Sequence, residues 1–270
     1  MAQTAAKADG GYSEILYGVE DGIATVTLAR PDKHNAMNAQ MIAELNGAAH
    51  VLGADEGVRA VMLAADGPTF CAGGDLGWMR EQAEKDRAGK MAEARALAGM
   101  LGTWNALPKP VIAKVQGPAY GGGIGLICVA DIAIAVREAK FGLTETRLGL
   151  IPATIGPFVV RKLGEAFARQ VFFNAKPFGT EFALRAGMIA HAATHDGLDE
   201  AVEAEAAAFL HCGPGAVADA KALARRLGGP DPAELAEMTA NALADRWETE
   251  EAQAGIAAFF AKETPPWRGE

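Results

Sequence analysis

Two glycine-rich stretches stand where this chain could do chemistry with its backbone. Residues 119–131, AYGGGIGLICVAD, set Gly121, Gly122 and Gly123 between an apolar strand-like run, VIAKV (111–115), and an apolar helix-like run. Glycine tolerates positive φ and lets a backbone approach a ligand closely. The first N–H groups of a helix have no partner inside it. Such a junction can hold a phosphate, or stabilise the oxyanion of an enolate or thioester, or merely let a strand and a helix pack tightly. The phosphate motifs fail in register. Counting G-x-G-x-x-G from Gly121 ends on Leu126, and G-x-x-x-x-G-K is absent. A second stretch, FCAGGDL (70–76), also follows an apolar run, VRAVMLAA (58–65), and offers another exposed N–H at Gly73 or Gly74. An oxyanion hole needs two converging donors, and two such junctions on adjacent strands can supply them.

Other chemistries find little to work with. The one serine is Ser13, so G-x-S-x-G is absent and serine-hydrolase chemistry is excluded. Cys71, Cys128 and Cys212 are an odd, widely spaced set without C-x-x-C, which suits a reducing compartment and neither a disulfide framework nor zinc. His191 and His195 are four apart, but GMIAHAATHDG reads as strand and loop, and no Glu stands beside the first His. No metal site is expected. The net charge of −9 argues against nucleic acid and anionic membranes as partners, though a local cluster of Lys and Arg could still hold an anionic ligand. No apolar leader opens the chain, and no stretch approaches 18 apolar residues. The expectation is a soluble, cytoplasmic protein.

The elements that must position these glycines can be read from periodicity. Residues 1–11 read as a tail. From Ile15 to Leu28 the pattern predicts a hairpin, with Ala24, Val26 and Leu28 on one face and Asp21-Gly22 at the turn. Asn38 is placed to cap a helix whose apolar stripe is Met41, Ile42, Leu45, Ala48 and Leu52, and Gly53 is expected to stop it. Residues 58–65, 111–115 and 132–136 read as buried strands, and a helix is predicted from about Asp86 to Leu107, ended by Pro108 and Pro110. Trp78 and Trp104 read as packing or tunnel-wall residues. Strands alternating with helices predict α/β architecture. After about residue 157 the chain is Ala-rich and helix-periodic, with almost no strand signal.

Four motifs then occur in one order: RPDKHNAMN (30–38), TFCAGGDL (69–76), GPAYGGGIGL with ADIAIA (117–135) and AKFGLTETRLGLIPATIG (139–156). Their sequence and spacing resemble the enoyl-CoA hydratase/isomerase (crotonase) superfamily, and GIAAFFAKETPPW (255–267) is similar to its last helix. The resemblance runs from about residue 14 to 267. It implies an α/β crotonase-like spiral of repeated ββα units over 12–199, and a helical region over 200–270 that serves oligomerisation and covers CoA. It also implies an acyl-CoA substrate, no further cofactor, and a homotrimer or dimer of trimers.

Carried over residue by residue, the resemblance makes the N–H groups of Gly74 and Gly122 the oxyanion hole and Glu145, in FGLTE, the acid/base. Lys33 and His34 would contact the adenosine part of CoA. Ala72, Gly73, Asp75, Leu76 and Gly121 would line the CoA pocket, and Asp75 would also cap the helix after its loop. Phe259 and Lys262 would cover the nucleotide. The chain departs from the family pattern at Gly125, where hydratases carry a second carboxylate. Hydration of an enoyl-CoA, such as a branched substrate of the 3-methylglutaconyl-CoA kind with Arg147 as a cation for its carboxylate, is therefore weighed against double-bond isomerisation by Glu145 alone. A non-catalytic CoA-binding or RNA-binding member of the same fold is the reading from another class.

Overall fold

The computed structural model describes residues 11–268, so most of the stretch read as a tail lies outside the described residues. The hairpin forms as the alternation predicts. β1 (Ile15–Glu20) and β2 (Ile23–Leu28) pair antiparallel across Asp21 and Gly22, at φ 49° and 80°. Two successive positive φ values are what a tight, right-twisted hairpin turn requires. Ala24, Val26 and Leu28 face the core. Asn38 Oδ1 accepts from the Met41 N–H at 2.8 Å and caps α1 (Ala39–Ala54), which buries the expected stripe and runs one residue past Gly53.

The chain then enters the sheet interior. β3 (Ala60–Ala65), β4 (Val111–Val115), β6 (Ile132–Val136) and β9 (His191–Ala193) extend the hairpin in the order β1-β2-β3-β4-β6-β9, parallel from β2 onward. Strands covered on both faces read as near-continuous apolar runs, hence AVMLAA and IAIAV. Between β3 and β4 lie α2 (Leu76–Glu84) and α3 (Arg87–Ala106). After β4 come β5 (Ala119–Tyr120) and α4 (Gly122–Val129); after β6 come β7 (Lys140–Gly142) and α5 (Gly156–Phe172). Each of these two units thus adds one strand to the main sheet, one short strand to a second layer, and one helix. β5, β7 and β8 (Phe178–Gly179) form that second layer, and the parallel bridges Met37–Gly74 and Cys71–Ala119 carry it back toward the N-terminus. The result is the expected α/β spiral. β8 lies in the part that lacks strand signals; two residues after a proline are too few to show an alternation.

The C-terminal part is helical. After α6 (Thr180–Arg185) and β9, α7 (Leu198–Leu210) packs on the sheet, followed by α8 (Pro214–Leu227). α9 (Ala236–Trp247) folds back onto α3, and α10 (Glu250–Ala261) rests on the 3₁₀ turn Glu145–Leu148. Trp104, Phe70, Met41 and Leu63 anchor the core, with Trp104 Nε1 donating to the Leu45 carbonyl at 3.0 Å. Among the described residues no helix is long and apolar enough to cross a membrane.

Candidate active site

The two glycine junctions meet at Met37. Its backbone bridges Gly74: Met37 N–H donates to the Gly73 carbonyl at 2.7 Å and its carbonyl accepts from Asp75 N–H at 2.9 Å. A trans peptide sets its C=O and N–H on opposite sides. Because the Gly73 carbonyl points at Met37, the Gly74 N–H points away from it. At the second junction the Gly121 carbonyl accepts from Ile124 and Gly125, so it faces into α4 and the Gly122 N–H projects from the helix start. Among the described residues neither N–H has an acceptor. Both glycines line one cavity of about 380 Å³.

One of these positions admits only glycine, and a second is crowded by a side chain. Gly121 sits at φ 48°, ψ −117°, a conformation closed to side-chain-bearing residues. A Cβ on Gly122 would lie 2.0 Å from the Met37 methyl carbon. Met37 thus lies against both glycine junctions.

Glu145 faces this pair. β7 and the 3₁₀ turn deliver it so that Oε1 lies 3.2 Å from where a Gly121 Cβ would stand. Its Oε2 is buried and, among the described residues, has no hydrogen-bond partner. Burial pushes the carboxyl up to about 7, only partly opposed by a hydrogen bond from its own backbone N–H. A carboxylate poised near neutral pH in a largely apolar cavity can both take and return a proton.

The position that hydratases fill with a second carboxylate is closed in this chain. A Cβ on Gly125 would lie 2.9 Å from Ile155 Cγ2 and 3.3 Å from Leu101 Cδ1. Both residues are buried, and Ile155 is β-branched, so neither yields space cheaply. The cavity wall there, at Ile155, is apolar.

The sequence-predicted binding residues divide. Ala72, Gly73, Leu76, Gly121 and Phe259 line the cavity. Lys33, His34, Asp75 and Lys262 do not. Asp75 is spent on structure: its carboxylate accepts from the N–H groups of Gly77 (2.8 Å) and Trp78 (3.1 Å), capping α2, and pairs with Arg30 at 3.1 Å. His34 is tied to Thr69 Oγ1 through Nδ1 at 2.9 Å, and its carbonyl accepts from Ala72 N–H, so it braces the glycine loop from outside. Lys33 is exposed on the same turn. Lys262 is exposed and ends α10 in a left-handed conformation (φ 59°). Arg147 lines the cavity but is exposed.

One cation escaped sequence reading. Lys90, on α3, is half-buried in the cavity wall with Nζ 6.0 Å from the centre of the Trp247 ring. Carboxylates on or next to α3 and α9 are paired elsewhere: Glu93 with Lys85, Asp245 and Glu248 with Arg87, and Glu237 with Arg95. Among the described residues Lys90 forms no ion pair. Only the fold of α9 against α3 brings Trp247 to it, and no local pattern in the sequence announces that.

These features agree with comparisons to known proteins. The family model for enoyl-CoA hydratase/isomerase matches residues 18–270. The enoyl-CoA hydratase ACTT6 of Alternaria alternata is 33% identical over 230 residues, covering 84% of this chain and 74% of that protein. A crystal structure of an enoyl-CoA hydratase from Shewanella pealeana superposes with a TM-score of 0.79 at 38% identity, covering 96% of this chain and 97% of the other. One from Mycobacterium avium gives 0.85 at 29% identity, covering 94% and 99%. The family model over residues 18–270 and a relative 33% identical over 84% of the chain place this protein in the enoyl-CoA hydratase/isomerase, or crotonase, superfamily.

Proposed function

We propose that this chain adds water across the α,β double bond of an enoyl-CoA. The thioester oxygen sits between the Gly74 and Gly122 N–H groups. Each such donor stabilises the enolate oxyanion by about 3–4 kcal/mol in a dry site. Glu145 takes a proton from water as the oxygen attacks C3, then returns a proton to C2. The observation that carries this reading is the unpartnered Glu145 Oε2 in the cavity that both glycines line. The substrate is a branched enoyl-CoA bearing a carboxylate, such as 3-methylglutaconyl-CoA; the uncompensated charge of Lys90 supports a negative group on the acyl portion. The working unit is a cytoplasmic homotrimer or dimer of trimers, with CoA as part of the substrate and no other cofactor.

A second reading is supported by the Ile155 side chain at Gly125. Moving a double bond into conjugation needs one base that lifts a proton from C2 and sets it on C4, and no second group to hold water. The test follows the conjugated-thioester absorbance. Loss of it on a 2-enoyl-CoA supports hydration. Gain of it on a 3-enoyl-CoA, without loss on the 2-enoyl-CoA, overturns hydration in favour of isomerisation.

A further inference from the structure

The closed position at Gly125 leaves a question of mechanism: what holds the attacking water, if not a second carboxylate? Among the described residues four threonines are buried: Thr69, Thr154, Thr180 and Thr239. Thr69 bonds to His34, Thr180 to the Arg137 carbonyl and Thr239 to the Ala236 carbonyl. Among the described residues Thr154 makes no side-chain hydrogen bond, although it is only 7% exposed. It lines the same cavity as Glu145. Its hydroxyl is not among the fully enclosed unpartnered atoms, so it is accessible from the cavity, where ordered water can be its partner.

Its place along the chain matters. Thr154 directly precedes Ile155, whose methyl carbon closes Gly125, while Glu145 lies against Gly121. Gly121 and Gly125 are four apart, and Gly125 N–H donates to the Gly121 carbonyl at 3.3 Å. Glu145 and the 154–155 segment thus both lie against the start of α4, and Glu145 and Thr154 line one cavity.

We propose that Thr154 is a positioning residue for hydration: its hydroxyl accepts one hydrogen of the attacking water while Glu145 accepts the other. This rests on the hydration reading above. The step balances. The water oxygen bonds to C3, its O–H electrons staying on oxygen. The released proton goes to Glu145, and the C2–C3 electron pair moves onto the thioester oxygen held by Gly74 and Gly122. Glu145 then protonates C2. Thr154 gains and loses no proton; it aims the water's lone pair. A hydroxyl does this as acceptor and can donate in turn to the thioester side of the cavity.

The test uses the full chain with Thr154→Val, which keeps shape and removes the hydroxyl, and Thr154→Ser, which restores it. Wild-type protein is first assayed for hydration of a 2-enoyl-CoA; no hydration there refutes the reading this proposal rests on. With hydration present, Thr154→Val is expected to lower its kcat by about tenfold to a hundredfold with KM little changed. Thr154→Ser recovers most of the rate. As a control, deuterium wash-in at C2 of butyryl-CoA, which needs Glu145 and the oxyanion hole but no oxygen attack, stays within about twofold of wild type in both variants. Unchanged hydration in Thr154→Val overturns the proposal. So does an equal loss of wash-in, which would mark Thr154 as a structural part of the cavity.

Discussion

Glu44 and Glu145 are both carboxylates removed from water, yet they sit at opposite ends of what burial can do. Glu44 is 5% exposed on α1. Its oxygens accept from Ser13 N–H and Oγ, the N–H groups of Glu14 and Ile15, and Gln40 Nε2, at 2.8–3.1 Å. Burial alone would raise its pKa, but these donors, led by Gln40 and the Ser13 backbone, outweigh it and hold the carboxyl below its usual range. Glu145 meets no such set of donors, and burial lifts it to about 7. Glu44 is bound to one charge state and ties the N-terminal strand to α1. Glu145 is left able to change state. Hydrogen bonding, rather than burial, separates a structural carboxylate from a chemical one.

The sharpest way to break this contrast is to neutralise both in parallel. Glu145→Gln is expected to lower turnover of an enoyl-CoA by about 10²–10⁴-fold while the protein stays folded. Glu44→Gln should leave turnover per folded molecule within about twofold and lower stability by about 1–3 kcal/mol in denaturant unfolding. If Glu44→Gln were the inactive variant, the assignment of roles would be reversed.

Next in size is the backbone that faces Glu145. Gly122→Ala keeps its N–H but sets a methyl group where the Met37 methyl stands, and should cost up to about 10²-fold in kcat by displacing the donor and the cavity wall. Gly125→Ala meets Ile155 and Leu101 instead, and should cost about 1–3 kcal/mol of stability with a smaller loss of rate. Thermal unfolding and steady-state kinetics on the two variants separate a damaged site from a crowded wall.

The pH dependence of stability should differ in sign between the carboxylates. Glu145 has a raised folded pKa, so between the ordinary carboxylate range and about pH 7 the folded state binds more protons than the unfolded state. Its ionisation then costs stability progressively as pH rises through that window, by up to about 3 kcal/mol. Glu145→Gln should remove this cost and raise the melting temperature at pH 8. Glu44 has a lowered folded pKa. Its contribution is present above the ordinary carboxylate range and is lost as pH falls below it. If Glu145→Gln melted lower than wild type at pH 8, the carboxylate would be a paired one like Glu44.

The smallest expected effect concerns the far wall. Lys90→Met should weaken binding of glutaryl-CoA by about tenfold and leave butyryl-CoA within about twofold, read by calorimetry. Equal losses on both would place Lys90 on the CoA portion instead.

What could be read before the structure was local. Asn38 and Asp75 cap the helices they precede, the Asp21-Gly22 turn folds as a hairpin, and both glycine junctions stand between strand and helix. Each follows from a few neighbouring residues whose backbone needs are specific. Gly125 was legible as a departure, but not its consequence, because Ile155 lies thirty positions further on and reaches α4 only when α5 packs beside it. The isolation of Thr154 and of Lys90 is likewise a property of what does not surround them. It depends on where every other donor and acid has gone, and a spacing pattern carries no record of that. Lys33 and His34 show the converse: motif position marks them, while the fold sets them outside the wall of this cavity.

The contrast between the two glutamates can be measured on the groups themselves. With the side-chain carboxyls of glutamate labelled with ¹³C, the signal lost in Glu145→Gln identifies Glu145, and that lost in Glu44→Gln identifies Glu44. The account predicts that Glu145 titrates near pH 7 and Glu44 below the ordinary glutamate range. A Glu145 midpoint in or below that ordinary range would mean a solvated or paired carboxylate, and would contradict its role as the bare acid/base of this cavity.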